Sequence, residues 1–201
     1  MFKKDISSAP PQKLKTSVQR SLRQSLLSTY PLLAPYADEL LPKKASLQSI
    51  KLPDRAVLYV LDHEPLFFES GKPGDVPLLP HLRLVHRFPQ AFPSIRIDRG
   101  AIRYVLGGAT LMAPGLTSAG GRLPAPQEGQ ADGHEGVDDE GRWSRELEKG
   151  EPVVITAEGK LEACAVGLLV AGTKEVKDKG KGPVVEDAHF LGDGLWRLGM
   201  D

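Results

Sequence analysis

The sequence has little cysteine and no long apolar run. Cys164 is the one cysteine among 201 residues, so an internal disulfide is excluded and the thiols are too few for a zinc site or a redox pair. The longest apolar run, residues 163–172, is about half the length that spans a bilayer, and no apolar stretch follows the opening Met-Phe-Lys-Lys as in a secretory signal. These absences predict a reducing, intracellular compartment and no membrane insertion.

Catalytic and metal-binding patterns are also missing. The five histidines show neither an i,i+4 pair nor an HExxH motif, and no Cys/His spacing suggests structural zinc. The sequence contains no G-x-S-x-G, P-loop or G-x-G-x-x-G motif. Cys164 lies in an apolar segment, where burial would raise the pKa of its thiol and suppress its reactivity. We therefore expect a protein that is not an enzyme and that has neither a metal site nor a cofactor.

Net charge is zero, with 26 Lys/Arg against 26 Asp/Glu, but the charges are unevenly distributed. Residues 1–60 carry ten Lys/Arg and four Asp/Glu, and residues 81–103 carry five Arg and one Asp. Residues 122–151 carry nine Asp/Glu and four Lys/Arg. Because the Debye length is about 8 Å at physiological salt, separated patches act locally. A neutral chain can therefore still attract phosphate to a basic face.

The hydrophobic pattern predicts an α+β first part that ends near Phe92-Pro93. Its elements are two helices, three strands and a helical turn, at 13–27, 32–41, 47–52, 56–61, 65–69 and 82–87. The first helix carries Lys13, Arg20 and Arg23 opposite its apolar stripe, which indicates either a face laid on ribosomal RNA or an ordinary solvated face. In the second helix, the inward side chains are expected to be Leu33, Tyr36, Ala37, Leu40 and Leu41.

The second part reads as mostly strands with one long insertion. Strands are predicted at 95–97, 152–156, 162–170 and 189–198, with a short helix near 143–147 and a basic loop at 174–181. Asp193-Gly194 reads as a turn within the last strand. Residues 124–142 contain many Gly, Asp and Glu and almost no aliphatic side chains. Such a composition cannot offset chain entropy, so it predicts a disordered acidic insert.

The segment 98–121 carries the most local information in the chain. Asp98 can cap a helix whose first turn is 99–101, and Gly107-Gly108 supplies residues that tolerate left-handed backbone just past its end. A brief strand follows at 111–112. Pro114-Gly115 then reads as a turn, in which glycine admits positive φ and lets another part of the backbone come close.

The helix of this segment has two sides. On a helical wheel, Arg103 and Tyr104 face outward, and the inward side consists of Ala101, Ile102, Val105 and Leu106. An outward aromatic side chain predicts a partner-binding anchor at Tyr104, because aromatic residues are enriched at interface hot spots. The alternative is that Tyr104 packs against the first part of the chain.

Basic residues near the segment predict a phosphate-binding surface. Arg96, Arg99 and Arg103 can flank the glycine loop with planar donors suited to phosphate. Lys174 and Lys177 could lengthen that surface. The alternatives are that the glycines only close tight turns and that the lysines belong to a solvated loop.

The same segment resembles the PUA domain, an RNA-binding module, through Gly108, Ala109, Met112, Pro114 and Gly115. The resemblance extends along the chain to the malignant-T-cell-amplified-sequence family, called translation-machinery-associated in fungi. The blocks that carry it are MFKK at 1–4, LKTSV at 14–18, LPKK at 41–44, LRLVHRFP at 82–89 and HFLGDGLW at 189–196. Only residues 123–150 depart clearly from the family pattern.

The resemblance implies a fold and a function. It implies an N-terminal pre-PUA α+β domain at 1–93, followed by a PUA pseudo-barrel at 94–201 with the acidic insert at about 124–142. It also implies a non-catalytic cytoplasmic translation factor that binds the small ribosomal subunit as a heterodimer with density-regulated protein. Such a factor promotes release of deacylated tRNA, post-termination ribosome recycling and translation reinitiation.

The implied RNA-binding residues contact ribosomal RNA or the acceptor region of a tRNA. They are Arg96, Arg99, Arg103, Gly107, Gly108, Ala109, Pro114, Gly115, Lys174 and Lys177. Two other functions stay open at this point. One is an RNA-binding accessory module of a tRNA or rRNA modification enzyme, and the other is a scaffold that contacts only proteins.

Overall fold

A computed structural model describes residues 2–43, 46–71, 76–126 and 136–199. The first half contains a five-stranded antiparallel sheet whose strands lie in chain order. Its strands are β1 (Gln12–Lys13), β2 (Gln48–Lys51), β3 (Ala56–Leu61), β4 (Glu64–Ser70) and β5 (Leu79–Pro80). The strands predicted at 47–52, 56–61 and 65–69 are thereby confirmed, within one residue at each end.

The hairpin between β3 and β4 sets the register of this sheet. Asp62 and His63 form its two-residue turn with φ of 48° and 65°, the left-handed backbone that matches the twist of adjoining strands. Leu58 lies opposite Phe68 in the resulting ladder, and both are buried.

The helices of the first half are α1 (Thr16–Thr29), α2 (Ala37–Leu40) and α3 (Leu82–Arg87), with a 3₁₀ helix at Pro31–Tyr36. Helix α3 has the predicted bounds. Helix α1 begins later than the predicted start at residue 13, because Gln12 and Lys13 pair with β2 as a strand. The apolar side chains Leu14, Val18, Leu22 and Leu26 recur at four-residue steps and predict a buried stripe, but Val18 is 40% exposed.

Three details of the predicted helices are wrong. Arg23 does not lie on a solvated basic face, since its guanidinium donates to the carbonyl oxygens of Ala37 and Leu41 and to Asp38 Oδ1. Tyr36, expected to face inward, is 41% exposed. The predicted helix at 32–41 is instead a 3₁₀ helix that contains Pro35, followed by the single turn of α2. Proline lacks the N–H that an α-helical hydrogen bond needs.

The second half contains a mixed five-stranded sheet with the order β6-β8-β9-β10-β7. The strands are β6 (Ser94–Ile97), β7 (Leu111–Met112), β8 (Pro152–Ala157), β9 (Ala165–Leu169) and β10 (Pro183–Phe190). Strands β6 and β8 are parallel, and the other neighbours are antiparallel. Cys164 is buried beside this sheet, as expected, and burial raises the pKa of its thiol to about 12.

Four short helices pack around this sheet: α4 (Ile102–Leu106), α5 (Pro114–Thr117), α6 (Thr173–Lys179) and α7 (Gly194–Arg197). The basic loop predicted at 174–181 is therefore wrong, because α6 occupies most of it. The strand predicted at 189–198 is also wrong. Strand β10 ends at Phe190, and Asp193 caps α7 by accepting a 2.8 Å hydrogen bond from the backbone N–H of Trp196.

The predicted short helix at 143–147 is absent from these fully described residues. Trp143 and Leu147 instead bury their side chains in the core of the second half. The predicted acidic insert lies in part, at 127–135, outside the described residues. At its described end, Val137 forms a bridge with Trp143, and Asp138 accepts a 2.8 Å hydrogen bond from the backbone N–H of Arg142.

A buried histidine pair joins the two halves. The rings of His81, which precedes α3, and His189, on β10, are 4.7 Å apart, and both residues are buried. His81 Nδ1 accepts from the backbone N–H of Arg83 at 3.2 Å, so its Nε2–H donates to the Leu195 carbonyl at 3.4 Å. Burial lowers the pKa of His81 well below its ordinary value. The junction therefore holds His81 as a neutral ring.

In the part of the chain that the structure describes, no helix is long and apolar enough to cross a membrane. The same residues contain no group of three His, Cys, Asp or Glu side chains that could hold a metal ion.

Candidate nucleic-acid interface

Asp98 connects the short helices α4 and α5. Its backbone N–H donates to the Gly115 carbonyl at 2.8 Å, and its Oδ1 accepts from the Ala101 N–H at 3.0 Å. The Ser118 hydroxyl donates to Asp98 Oδ2 at 2.8 Å, and this bond is the main reason why the pKa of Asp98 lies below its ordinary value. Asp98 therefore caps the turn at 99–101 and not, as was predicted, α4 itself, because α4 begins later, at Ile102, and its N-cap, Ala101, makes no side-chain capping bond.

The two glycines after α4 differ in conformation. Gly108 has a φ of +71°, whereas Gly107 has a φ of −86° and does not need left-handed backbone. The prediction is thus right for Gly108 and wrong for Gly107. A Cβ on Gly108 would lie 2.7 Å from Lys3 Cε and 3.0 Å from Phe190 Cε1. The chain's own side chains therefore cover one face of the glycine loop.

Pro114 and Gly115 do not form the predicted turn. Pro114 is the first residue of α5, a position where its missing N–H costs nothing. A Cβ on Gly115 would lie 3.1 Å from Ala101 Cβ. The small size of Gly115 therefore lets α5 pack closely against the start of α4, which is the close approach expected of it.

A groove of about 610 Å³ lies between α4, β7 and α5. We call it the Tyr104 groove. The predicted site residues that line it are Arg103, Tyr104, Ala109, Pro114 and Gly115. Its wall is mostly apolar, and the side chain of Met112 is exposed at its edge.

Arg103 and Tyr104 form one unit at this groove. The Arg103 guanidinium carbon lies 4.7 Å from the centre of the Tyr104 ring, and Nη2 donates to the Tyr104 hydroxyl at 2.8 Å. Tyr104 is 54% exposed, so the predicted outward direction of both side chains is confirmed. Val105 is buried as expected, but Leu106, predicted to face inward, is 37% exposed.

The other two predicted arginines lie outside the Tyr104 groove. Arg96 is half-buried, and its Nε donates to the Gly120 carbonyl at 3.2 Å. Arg99 is exposed, and its backbone N–H donates to Glu158 Oε2 at 3.4 Å. The structure therefore does not gather the three arginines around the glycine loop.

A second groove, of about 460 Å³, lies on the other side of α5. We call it the Lys177 groove. Its charged lining residues are Arg122, Glu140, Arg142 and Lys177. Lys174, one turn earlier on α6, is exposed but does not line either groove. Ser118 lines both grooves, so the two grooves meet at the end of α5.

Sequence reasoning missed Arg122 and Arg142 as members of a basic groove. Arg122 reaches it because its backbone pairs with Arg96, through hydrogen bonds of 2.9 Å and 2.7 Å. Arg142 is held by Asp138, whose Oδ2 accepts from Arg142 Nε at 2.9 Å. The Arg96–Arg122 pairing joins residues far apart in the chain, whereas Asp138 and Arg142 are only four residues apart. The one available signal was that both arginines lie within a mostly acidic segment.

Comparison with known proteins gives matches along most of the chain. The "Pre-PUA-like domain" family matches residues 2–89, and the family described as "elF2D, PUA domain" matches residues 92–194. The chain is 43% identical to translation machinery-associated protein 20 of Saccharomyces cerevisiae over 205 residues, covering 100% of both chains. It is 41% identical to the malignant T-cell-amplified sequence 1 homolog of Drosophila melanogaster, covering 98% of this chain and 97% of that protein.

A solved structure supports the fold. A PUA-domain protein of Aeropyrum pernix superposes with a TM-score of 0.65 at 21% identity, covering 96% of this chain and 91% of that chain. With the mixed sheet and its surrounding helices, these matches confirm the predicted α+β fold with a PUA pseudo-barrel.

Proposed function

Because the chain belongs to the family of translation machinery-associated protein 20 and the malignant T-cell-amplified sequence proteins, we propose that it is a non-catalytic translation factor. It binds the small ribosomal subunit in the cytoplasm through ribosomal RNA. The observation that carries this proposal is the exposed Arg103–Tyr104 unit at the Tyr104 groove. It presents a charged planar donor and an aromatic face to the same ligand.

Both parts of this unit suit RNA. A guanidinium donates two parallel hydrogen bonds to a phosphate, and aromatic rings stack on unpaired bases. The apolar wall beside the unit excludes water from such a contact. Since charge acts over about one Debye length, the zero net charge of the chain does not oppose it.

We propose that the acceptor end of a tRNA or a stretch of ribosomal RNA enters the Tyr104 groove and contacts Arg103, Ala109, Pro114 and Gly115. The remaining predicted residues lie outside this groove and would contact the RNA as it leaves. They are Arg96, Arg99, Gly107, Gly108, Lys174 and Lys177. Arg99 is exposed, with no side-chain ion pair to the described residues, which leaves its guanidinium available for phosphate.

A protein partner is part of the proposal. We propose that density-regulated protein forms a heterodimer with this chain at Tyr104 and that the pair promotes release of deacylated tRNA, ribosome recycling and reinitiation. The exposure of the Tyr104 ring supports an interface there. The partner would cover the outer edge of the Tyr104 ring and the exposed Met112 side chain, and the RNA would occupy the Arg103 side of the same groove.

We also propose that the chain divides into domains at 1–93 and 94–201. The two separate sheets support this division, and the two family matches end at residue 89 and begin at residue 92. The buried His81–His189 contact would then fix the orientation of one domain against the other.

Titration with fluorescent tRNA, with protein-free ribosomal RNA and with purified small ribosomal subunits, at two or more salt concentrations, tests the RNA proposal. Binding should weaken steeply with salt, with a logarithmic slope of about 0.7 per phosphate contact for single strands and about 0.9 for duplex. A protein-only scaffold would bind neither tRNA nor protein-free ribosomal RNA. Absence of binding to both RNAs at low salt would reject the proposed function.

A further inference from the structure

The Lys177 groove has a positive lining in the most acidic region of the sequence. Arg122, Arg142 and Lys177 line it against one carboxylate, that of Glu140. Two of these residues, Arg122 and Arg142, come from the segment with nine Asp/Glu against four Lys/Arg. A local excess of cations in a concave surface attracts anions, whatever the charge of the surrounding sequence.

The two arginines of the groove are held in place before any ligand binds. Arg122 Nη1 donates to the Glu140 carbonyl oxygen, and Asp138 accepts from both the backbone N–H and Nε of Arg142. Glu140 Oε2 also lies 3.5 Å from Arg142 Nη1. These contacts restrict the rotation of each guanidinium, while the N–H groups that they do not use stay available. This arrangement lowers the entropy lost when the groove binds an anion.

Lys177 lacks such a partner. Its ammonium group has no ion pair among the residues that the structure describes, whereas Lys179, two residues later, is paired with Glu175 at 2.7 Å. Lys177 lies on α6, and its side chain is exposed to solvent. A bound phosphate would give this ammonium group its counterion.

We propose that the Lys177 groove is a second phosphate-binding site for the RNA strand that occupies the Tyr104 groove. This inference rests on the proposed RNA-binding function. Ser118 lines both grooves, so a strand that leaves the Tyr104 groove over the end of α5 enters the Lys177 groove directly. The Ser118 hydroxyl donates to Asp98, so the residue over which the strand would pass is held in position.

The test measures binding of a fluorescent oligouridylate of about 12 nucleotides, a length within the range of single-strand binding sites. Lys177→Glu should weaken binding about five- to tenfold and reduce the salt slope by roughly one phosphate contact, about 0.7. Lys160→Glu is the matched control. Lys160 is exposed in the turn between β8 and β9 and lines neither groove. Reversing its charge changes the net charge of the chain by the same amount as Lys177→Glu.

Glu140→Gln should change RNA binding in the opposite direction to Lys177→Glu. Removing the one carboxylate that lines the groove should tighten oligouridylate binding about twofold, because it removes repulsion from the phosphate. The Glu140 carbonyl that holds Arg122 belongs to the backbone and survives the change. Weakening by Lys177→Glu together with tightening by Glu140→Gln supports the site.

Each failure has a distinct signature. If wild-type protein does not bind the oligouridylate, tRNA or ribosomal RNA, the proposed function fails and the second site fails with it. If wild-type protein binds and Lys177→Glu equals Lys160→Glu in affinity and salt slope, the second site alone is rejected. Binding of poly-glutamate that Lys177→Glu abolishes, with RNA binding unchanged, would also overturn the proposal in favour of an acidic protein ligand.

Discussion

The Ser118 hydroxyl donates a 2.8 Å hydrogen bond to Asp98 Oδ2. This bond ties the end of α5 to the residue that caps the turn before α4, and those two helices form the walls of the Tyr104 groove. Because Ser118 also lines the Lys177 groove, one contact sets the position of both grooves. We therefore expect Asp98 to act by holding α4 and α5 together and not by binding a ligand.

Asp98→Ala should lower the free energy of unfolding by about 1–2 kcal/mol, since it removes the acceptor of two hydrogen bonds, one from the Ala101 N–H and one from the Ser118 hydroxyl. Urea unfolding measures this loss. Asp98→Asn keeps an acceptor for the Ala101 N–H and should lose less than half as much. Equal losses for the two variants would show that capping geometry is not the cause.

Gly108→Ala should destabilise the protein by about 1–3 kcal/mol. The φ of +71° strains any side chain, and the new Cβ would press on Lys3 and Phe190. Gly107→Ala is the matched control, because Gly107 has an ordinary φ of −86°. Thermal melts compare the two variants. A Gly108→Ala protein as stable as the Gly107→Ala protein would contradict the strained backbone at this position.

Tyr104→Asp should weaken a complex with density-regulated protein at least tenfold without unfolding the chain, because Tyr104 is largely exposed. Tyr104→Phe keeps the ring and loses only the hydroxyl that accepts from Arg103, so it should retain most of the affinity. Calorimetric titration with the purified partner measures both. Reduced thermal stability with unchanged partner affinity would favour the alternative, a packing role for Tyr104.

Stability should fall as the pH drops below about 6.5, the ordinary pKa of histidine. Burial keeps the native pKa of His81 below that value, so the unfolded chain binds a proton that the native chain does not. The contribution of His81 to the free energy of unfolding is therefore fully present above about pH 6.5 and decreases as the pH falls below that value. His81→Asn retains an acceptor for the Arg83 N–H and should flatten this dependence in urea unfolding between pH 7 and 5, values chosen to bracket the ordinary pKa. An unchanged slope in the variant would assign the pH dependence to other groups.

The sequence predicted correctly those helices and strands whose bounds depend on residues close together in the chain. Strand β3 and helix α3 have the expected bounds, because the apolar run of β3 and the proline after α3 are visible in the sequence itself. The hydrogen bond from the Ala101 N–H to the Asp98 side chain was predictable for the same reason, but the later start of α4 was not. Helix α7 was missed, although Asp193 is a typical capping residue, because the apolar residues that follow it also fit a strand.

Nonlocal contacts explain the remaining errors in the site. The sequence gives no sign that Lys3 covers Gly108 or that a bridge to Arg96 brings Arg122 to a groove. Lys174 and Lys177 were equivalent in sequence, and only the packing of α6 distinguishes them. The family resemblance predicted the overall fold and the Tyr104 region, but the Lys177 groove could be found only from the structure.

The most direct test of RNA binding is the affinity of the intact chain for purified small ribosomal subunits, measured by co-sedimentation over a range of salt concentrations. The wild-type protein should bind with a linear fall of log affinity against log salt, and Arg103→Glu should bind more weakly with a smaller slope. Lys149→Glu, an exposed charge reversal that lines neither groove, serves as control. Affinity that does not depend on salt, or a folded Arg103→Glu protein that binds like Lys149→Glu, would contradict recognition of RNA at the Tyr104 groove.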